Sequence, residues 1–501
     1  MSDQPDPGND QPTPTTARRR WGFSHIRDRR AASIDRVMGL VCALMLASCV
    51  RVMPPEPARG PTERPELWVD AFAPEGGDGG RAAALKQFPA ITEPASVHVR
   101  SGLYRGPFVF PGGTRLEGHG EVVLFDEGGG TVVSTPGPLS LVRLSVQGGR
   151  LGISATGALS LEYVKFSGHR SAGVQLVDGG LTGHHLEVSS RVDGVVGVDA
   201  TNSSVTLDDV KVSGPLLIGV RAKDSAVTLT TVSSEGPATA VQTIGGSLVL
   251  TGLRAAGGMR TAVSISKTKA TLRGLDVTGH EYAVLGVGSD VDLDGLTSGG
   301  AFGGGVSLLN STLRLTNTTV QRAGPLGGVQ LLGCTSVLGA VTVTDSQAWG
   351  VMVRQGTASI GVLTANGLRG GGGDALHVRD AKVSIERLEA SGLEGSGLYA
   401  SSYATVTAGS VDVSGAETSA IVVERKSTVS ATQVTSRGGR GPALAVPEDG
   451  LLNVGTLTAQ GGDVAVWADC ATESFVTVKA VTAGTELPRL RCLQGPLGPR
   501  R

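Results

Sequence analysis

A small residue followed by an aliphatic one recurs along most of the chain: Gly152-Ile153, Gly173-Val174, Gly197-Val198, Gly219-Val220, Ala240-Val241, Ala262-Val263, and onward to Ala443-Leu444 and Ala465-Val466. From Ile153 to Val466 the register advances 313 positions in 14 steps, about 22 residues each, a period proper to solenoids. Within the period that begins at Gly219, Val220 and Ala222 alternate with Arg221 and Lys223, which gives one apolar and one polar face, as in a half-buried strand. A turn at Asp224-Ser225 follows, then a second alternating pair, Val227 and Leu229, and a third short segment around Val232 that ends at Gly236-Pro237. Asp178, Asn202, Asp224, Gly245, Gly288, Asn310, Gly333 and Asp380 recur four places after the anchor aliphatic, where residues tolerant of left-handed backbone are expected as turn formers. No 3.6-residue periodicity survives between these segments.

One such coil cannot bury its apolar residues alone, so it must stack on its neighbours with equivalent strands parallel and about 4.8 Å apart. Parallel crossovers are overwhelmingly right-handed, and strict hexapeptides, the usual basis of left-handed solenoids, are missing. The pattern predicts an all-β, right-handed parallel β-helix of about 15 or more coils. In this repeat form the chain resembles the pectin-lyase-like right-handed β-helix superfamily. The stretch from Leu67-Trp68-Val69 through a short helix expected at Ala82–Phe88 to Gly102-Leu103-Tyr104-Arg105-Gly106 and Thr114-Arg115-Leu116-Glu117-Gly118-His119-Gly120 resembles the opening of many such proteins. There a capping helix covers strand edges that would otherwise stay unpaired. The 75 glycines and 4% aromatic content suit thin coils filled by Val, Leu and Ala.

The first part of the chain reads differently. Residues 1–48 hold a polar, then Arg-rich extension and a short apolar run from Val37 to Leu46 ending in Leu46-Ala47-Ser48-Cys49. That order is a secretory signal, too short in its apolar part to span a bilayer. The last four residues resemble the bacterial lipobox, which implies lipidation of Cys49 and a membrane anchor. Residues 49–66, with Pro54, Pro55, Pro57, Pro61 and Pro65, read as a semi-extended tether. Val50 in place of Asp after the acylated residue implies, by resemblance to the enterobacterial sorting rule, the outer membrane. Residues 67–150 are assigned to the cap and first coils, 151–481 to the regular repeats and 482–501 to a Pro/Gly-rich tail. In an exported protein Cys470 and Cys492 are expected to form a disulfide near the last coil. Cys334 has no sequence-local partner and is expected as a half-buried turn thiol.

A net charge of −1 spread over 18% charged residues gives no sign of a nucleic-acid partner. Outward positions of the first strand in coils ten to thirteen gather Arg354, His377, Arg379, Tyr399 and Glu424, with Trp349 at the edge. Guanidiniums grip carboxylates in two-pronged fashion and rings lie against sugar faces, so this set suits an acidic polysaccharide. Ordinary solvated charge is the plain alternative. A second outward set is Gln175, Asp199, Arg221, Lys223 and Gln242. Asp290-Val291-Asp292-Leu293-Asp294-Gly295 matches the first half of a calcium loop, but Ala301 stands where its final carboxylate is needed, so three outward Asp along a strand are expected instead. Asp208-Asp209 stands as a lone pair without the other elements of polygalacturonase-like sites. No catalytic motif, metal cluster or cofactor is implied. The sequence points to a cell-envelope lipoprotein displaying a β-helix for binding or structural work, the alternative being a polysaccharide lyase, hydrolase or epimerase with a divergent site.

Overall fold

A computed structural model describes residues 64–493 except 371, 462, 463, 470, 471 and 483–489. The signal, Cys49 and most of the tether lie outside the described residues. So does the expected Cys470–Cys492 bridge, since only the backbone of Cys492 is described; it pairs with Ala468.

Among the described residues the secondary structure is all strand, and the strands pair in parallel from one coil to the next, forming a parallel β-solenoid of about 17 turns. Val263 shows why. It is fully buried and sits in register between Val241 and Val284 of the adjoining coils. Its coil contains the strands Thr261–Ser266 and Lys269–Thr278, and the second bends at Gly274, whose φ of +61° takes it out of the pairing register. Each coil is thus three short strands, two of them joined through a one-residue left-handed corner. All eight residues expected four places after the anchor have positive φ.

The inward residues of successive coils merge into one continuous core from Val69 to Ala468. A column of small polar residues runs through it just past the first corner. Ser203, Ser225, Thr268, Ser289 and Ser311 each donate to the carbonyl two residues back. The Oγ atoms of Ser225, Ser289 and Ser311 also accept from the backbone N–H of the preceding coil, at 3.0, 3.2 and 3.1 Å. These hydroxyls replace solvent for backbone groups that the corners leave out of the strand ladder. Cys334 occupies the next place in this column. It is not the half-buried turn thiol expected but 1% exposed, with Sγ donating to the carbonyls of Leu332 and Leu308 at 3.4 Å each, and burial pushes its pKa up.

The N-terminal end also departs from expectation. Ala82–Phe88 forms no helix. Instead, Leu85 makes a parallel bridge to Val69: Leu85 N donates to Trp68 O and Asp70 N donates to Leu85 O, both at 2.8 Å. A seven-residue segment has little helical stability of its own, whereas the free edge of Glu66–Val69 gains hydrogen bonds from a bridging segment. Phe88 then packs against Tyr104 and Phe108, with ring centroids 5.3 and 4.9 Å apart. At the other end Leu490–Leu493 adds to Val466–Asp469, so strand pairing continues into the stretch read as tail.

Candidate functional site

The first strands of four consecutive coils, Val351–Arg354, Leu376–Arg379, Leu398–Ser401 and Ile421–Glu424, lie side by side. Alternation sends Val353, Val378, Ala400 and Val423 into the core. The outward residues form columns along the rod: Met352, His377, Tyr399 and Val422 in one, Arg354, Arg379 and Ser401 in the other. The expected set is therefore assembled on one face.

His377 and Tyr399 are stacked, centroids 4.8 Å apart and planes 17° from parallel, and Trp349 lies 5.4 Å from His377 at a tilt. His377 donates from Nδ1 to Asp374 Oδ2 at 2.9 Å, and Tyr399 donates its hydroxyl to Glu424 Oε2 at 2.7 Å. Burial, reinforced by the Glu424 hydrogen bond and charge, holds the Tyr399 hydroxyl well above its ordinary range, so it remains a neutral donor. Arg354 and Arg379 are exposed, and among the described residues neither guanidinium has an ion-pair partner.

The ring geometry corrects one expectation. Because His377 and Tyr399 turn their faces to each other along the rod, they offer a ligand their edges rather than broad surfaces. Asp374 was not anticipated. It is 4% exposed, at the end of the glycine-rich loop, and its Oδ1 accepts from Ser396 N at 2.7 Å while Oδ2 fixes the histidine. With Nδ1 so committed, Nε2 is the nitrogen of His377 left for another partner.

The outward column also continues beyond Glu424, through Val422 and Ala445 to Trp467. Those three and Val464 form an apolar cluster separate from the core, with Tyr399 packed against it. Beside it lies a cleft of about 390 Å³ whose walls include Glu417, Ser419, Glu424, Arg440 and Trp467. Among the described residues Trp467 Nε1, Ser419 Oγ and Trp349 Nε1 are buried without a hydrogen-bond partner. Extending the reading of outward positions past Glu424 would have revealed this cleft.

In the second outward set Asp199 and Arg221 satisfy each other, while Lys223 lies in a separate column beside Thr201 and Ile244. Gln175, Asp199, Arg221 and Gln242 form one column, in which Arg221 grips both oxygens of Asp199 at 2.8 and 2.6 Å, raising its own pKa. The three Asp of 290–294 occupy alternate places on Asp290–Gly299, with Val291 and Leu293 buried between them. Asp292 pairs with Arg273, and Asp294 accepts from Thr316 and Asn317 at 2.7 and 2.8 Å.

Fold and site together define a parallel β-solenoid with an aromatic strip, buttressed by carboxylates and flanked by free guanidiniums, on one outward face. No family model matches the chain, and no curated protein does. Among solved structures it is similar to tailspike protein 3 of bacteriophage CBA120, at 11% identity over 78% of this chain and a TM-score of 0.20; the match spans 57% of the tailspike. It is similar to a GH136 lacto-N-biosidase from Eubacterium ramulus at 9% identity, over 86% of this chain and 68% of that one, TM-score 0.17. It is also similar to the A-module of the Azotobacter vinelandii mannuronan C-5 epimerase AlgE6 at 13% identity, over 78% of this chain and 91% of that one, TM-score 0.19. With such scores these proteins lend nothing to the reading of the site, which rests on its own side chains.

Proposed function

We propose that this protein is a cell-envelope lipoprotein of the pectin-lyase-like kind, anchored through Cys49 and displaying its solenoid as a binding surface for an acidic polysaccharide. The observation that carries the reading is the column of Arg354 and Arg379, exposed, in register on neighbouring coils and without ion-pair partners among the described residues. Adjacent coils put them about 4.8 Å apart at the backbone, so successive sugar carboxylates can meet successive guanidiniums, each a planar fork matched to such a group. The edges of His377 and Tyr399 and the cleft toward Trp467 supply contact area beside them. The signal and the lipobox-like tetrapeptide at residues 46–49 support the anchor, and Val50 supports the outer-membrane address by resemblance to the enterobacterial sorting rule. Among the described residues no helix is long and apolar enough to cross a membrane.

One observation favours a second reading, a polysaccharide lyase, hydrolase or epimerase. A histidine oriented by a buried carboxylate, beside a tyrosine bound to a second carboxylate, has the make-up of a general acid–base site. A glycan array on the purified chain, followed by product analysis of each bound polysaccharide, separates the two. Binding to uronate-containing polymers without new products is the expected result. New unsaturated, hydrolysed or epimerised products would establish the enzyme, and neither binding nor products would remove this face from consideration.

A further inference from the structure

The Asp208-Asp209 pair acquires partners in the fold. Asp208 lies in register with His184 of the preceding coil, and His184 Nδ1 is 3.0 Å from Asp208 Oδ2. Next to it His185 Nδ1 bonds Asp209 Oδ2. Neighbouring residues of a strand ordinarily point to opposite faces. Here His185 and Asp209 have φ of +51° and +52° at the left-handed corner, and the two imidazoles end up side by side, centroids 3.9 Å apart. Tyr163, also in the left-handed region, stacks on His185 at 4.5 Å.

An ionised carboxylate only accepts, so each Asp fixes the proton of its histidine on Nδ1 and leaves Nε2 with its lone pair in the neutral ring. No partner for either Nε2 exists among the described residues. A histidine whose far N–H is held by a carboxylate is the recurring arrangement of metal-binding imidazoles, since the carboxylate sets the tautomer and raises ligand basicity. The ring centroids are 3.9 Å apart, and one ion at about 2.0–2.1 Å from each nitrogen would require the two Nε2 atoms to come within about 4 Å of each other.

We infer that His184 and His185 form a surface site for a late-transition divalent cation such as Cu²⁺, Ni²⁺ or Zn²⁺, with Asp208 and Asp209 as positioning residues. Paired imidazoles select these ions over Ca²⁺ and Mg²⁺, which require oxygen ligands. Among the described residues no group of three or more His, Cys, Asp or Glu is placed to hold a metal ion, so the inferred site has two protein ligands and would leave the remaining positions to water. Glu162, in register with His184 on the preceding coil, and Glu187 add negative charge nearby, while Lys165 is paired with Glu187 at 3.1 Å. His184 is exposed and His185 is half-exposed, so the site can be reached from solvent.

The test is calorimetric titration of the full chain with Cu²⁺, Ni²⁺, Zn²⁺ and Ca²⁺, with electron paramagnetic resonance of the Cu²⁺ form. The expected result is one site of highest affinity for Cu²⁺, two-nitrogen hyperfine structure and no response to Ca²⁺. His184→Ala/His185→Ala should abolish that site, while His98→Ala/His119→Ala, at the other close histidine pair, should leave it intact. Asp208→Asn/Asp209→Asn should weaken it roughly 10–100-fold with both imidazoles still present, which a merely structural ion pair would not do. Circular dichroism checks that each variant is folded, and the Asp variants still decide the matter if the double Ala protein is not. Wild-type binding no tighter than in the His184→Ala/His185→Ala protein, or unchanged affinity in the Asp208→Asn/Asp209→Asn protein, overturns the inference.

Discussion

His377 donates its Nδ1 proton to the Asp374 carboxylate at 2.9 Å across three residues of chain, so the glycine-rich loop before Leu376 and the outward face after it are tied at one point. Asp374 also receives Ser396 N–H at 2.7 Å from the next coil. Asp374→Ala leaves two donors in a buried setting without their acceptor, which should cost about 1–3 kcal/mol for each group left unsatisfied. Asp374→Asn keeps one oxygen and should cost less. Urea midpoints at constant slope report the difference; equal losses would show that the two bonds do not hold the loop.

Val263→Asp and Val263→Ala probe the stacking itself. Val263 is fully buried between Val241 and Val284. The Ala variant loses about two buried methyl groups and leaves a small cavity, about 2–3 kcal/mol in all. The Asp variant places a carboxyl where it has no partner and should lose several kcal/mol more. Thermal unfolding of both variants, compared with wild type, gives the ordering, and a benign Val263→Asp would contradict the inward placement.

Acid should loosen the solenoid before its carboxylates titrate. His169 and His280 are 2% and 1% exposed, and burial holds both below the usual histidine range despite hydrogen bonds to backbone carbonyls. Their folded pKa values are depressed, so the unfolded chain takes up protons first as pH falls below about 6.5. The stability they confer when neutral is present above that pH and is lost as pH falls through their folded values. The melting temperature should therefore drop between pH 7 and pH 5, and His169→Gln/His280→Gln should flatten that drop. An identical pH slope in wild type and double variant would exclude this cause.

The coils were legible because burial repeats every turn: an aliphatic at Val241 demands another at Val263 and Val284, and a core continuous from Val69 to Ala468 carries that period along the chain. The corners were legible for a local reason, the tolerance of Asn, Asp and Gly for positive φ. Cys334 was misjudged although Ser203, Ser225, Thr268, Ser289 and Ser311 marked its column, because a thiol was read by its chemistry and not by its place. Ala82–Phe88 failed as a helix because an unpaired strand edge outweighed local propensity. Asp374 and the mutual stacking of His377 and Tyr399 depend on how a loop closes and how rings rotate, which strand alternation does not encode. The Trp467 cleft was within reach of the same alternation, but its walls combine outward strand positions with the Glu417 and Arg440 loops, whose approach alternation does not encode.

Cys49→Ser tests the address. If the chain is acylated there, the variant should leave the membrane fraction and lose labelling by a fatty-acid probe, since a lipid chain contributes about 0.8 kcal/mol per buried methylene and the tether offers no apolar substitute. Retention of both properties by the variant would end the lipoprotein reading.

Arg379→Ala and Tyr399→Ala separate charge from contact on the proposed binding face. Arg379 is exposed and without an ion-pair partner among the described residues, so its attraction to a sugar carboxylate is screened over about 8–10 Å at moderate ionic strength. Its removal should weaken binding of an acidic polysaccharide and make the remaining affinity less sensitive to salt. Tyr399 carries no charge, since burial and Glu424 keep its hydroxyl protonated. Its removal also takes away the ring that backs His377 and the donor that holds Glu424, so binding should weaken with the salt slope unchanged. Affinity measured at three or four salt concentrations for wild type and each variant gives both quantities at once. A steeper or equal slope in Arg379→Ala would mean that the guanidinium column is ordinary solvated surface, and the polysaccharide would then have to be sought along the cleft toward Trp467.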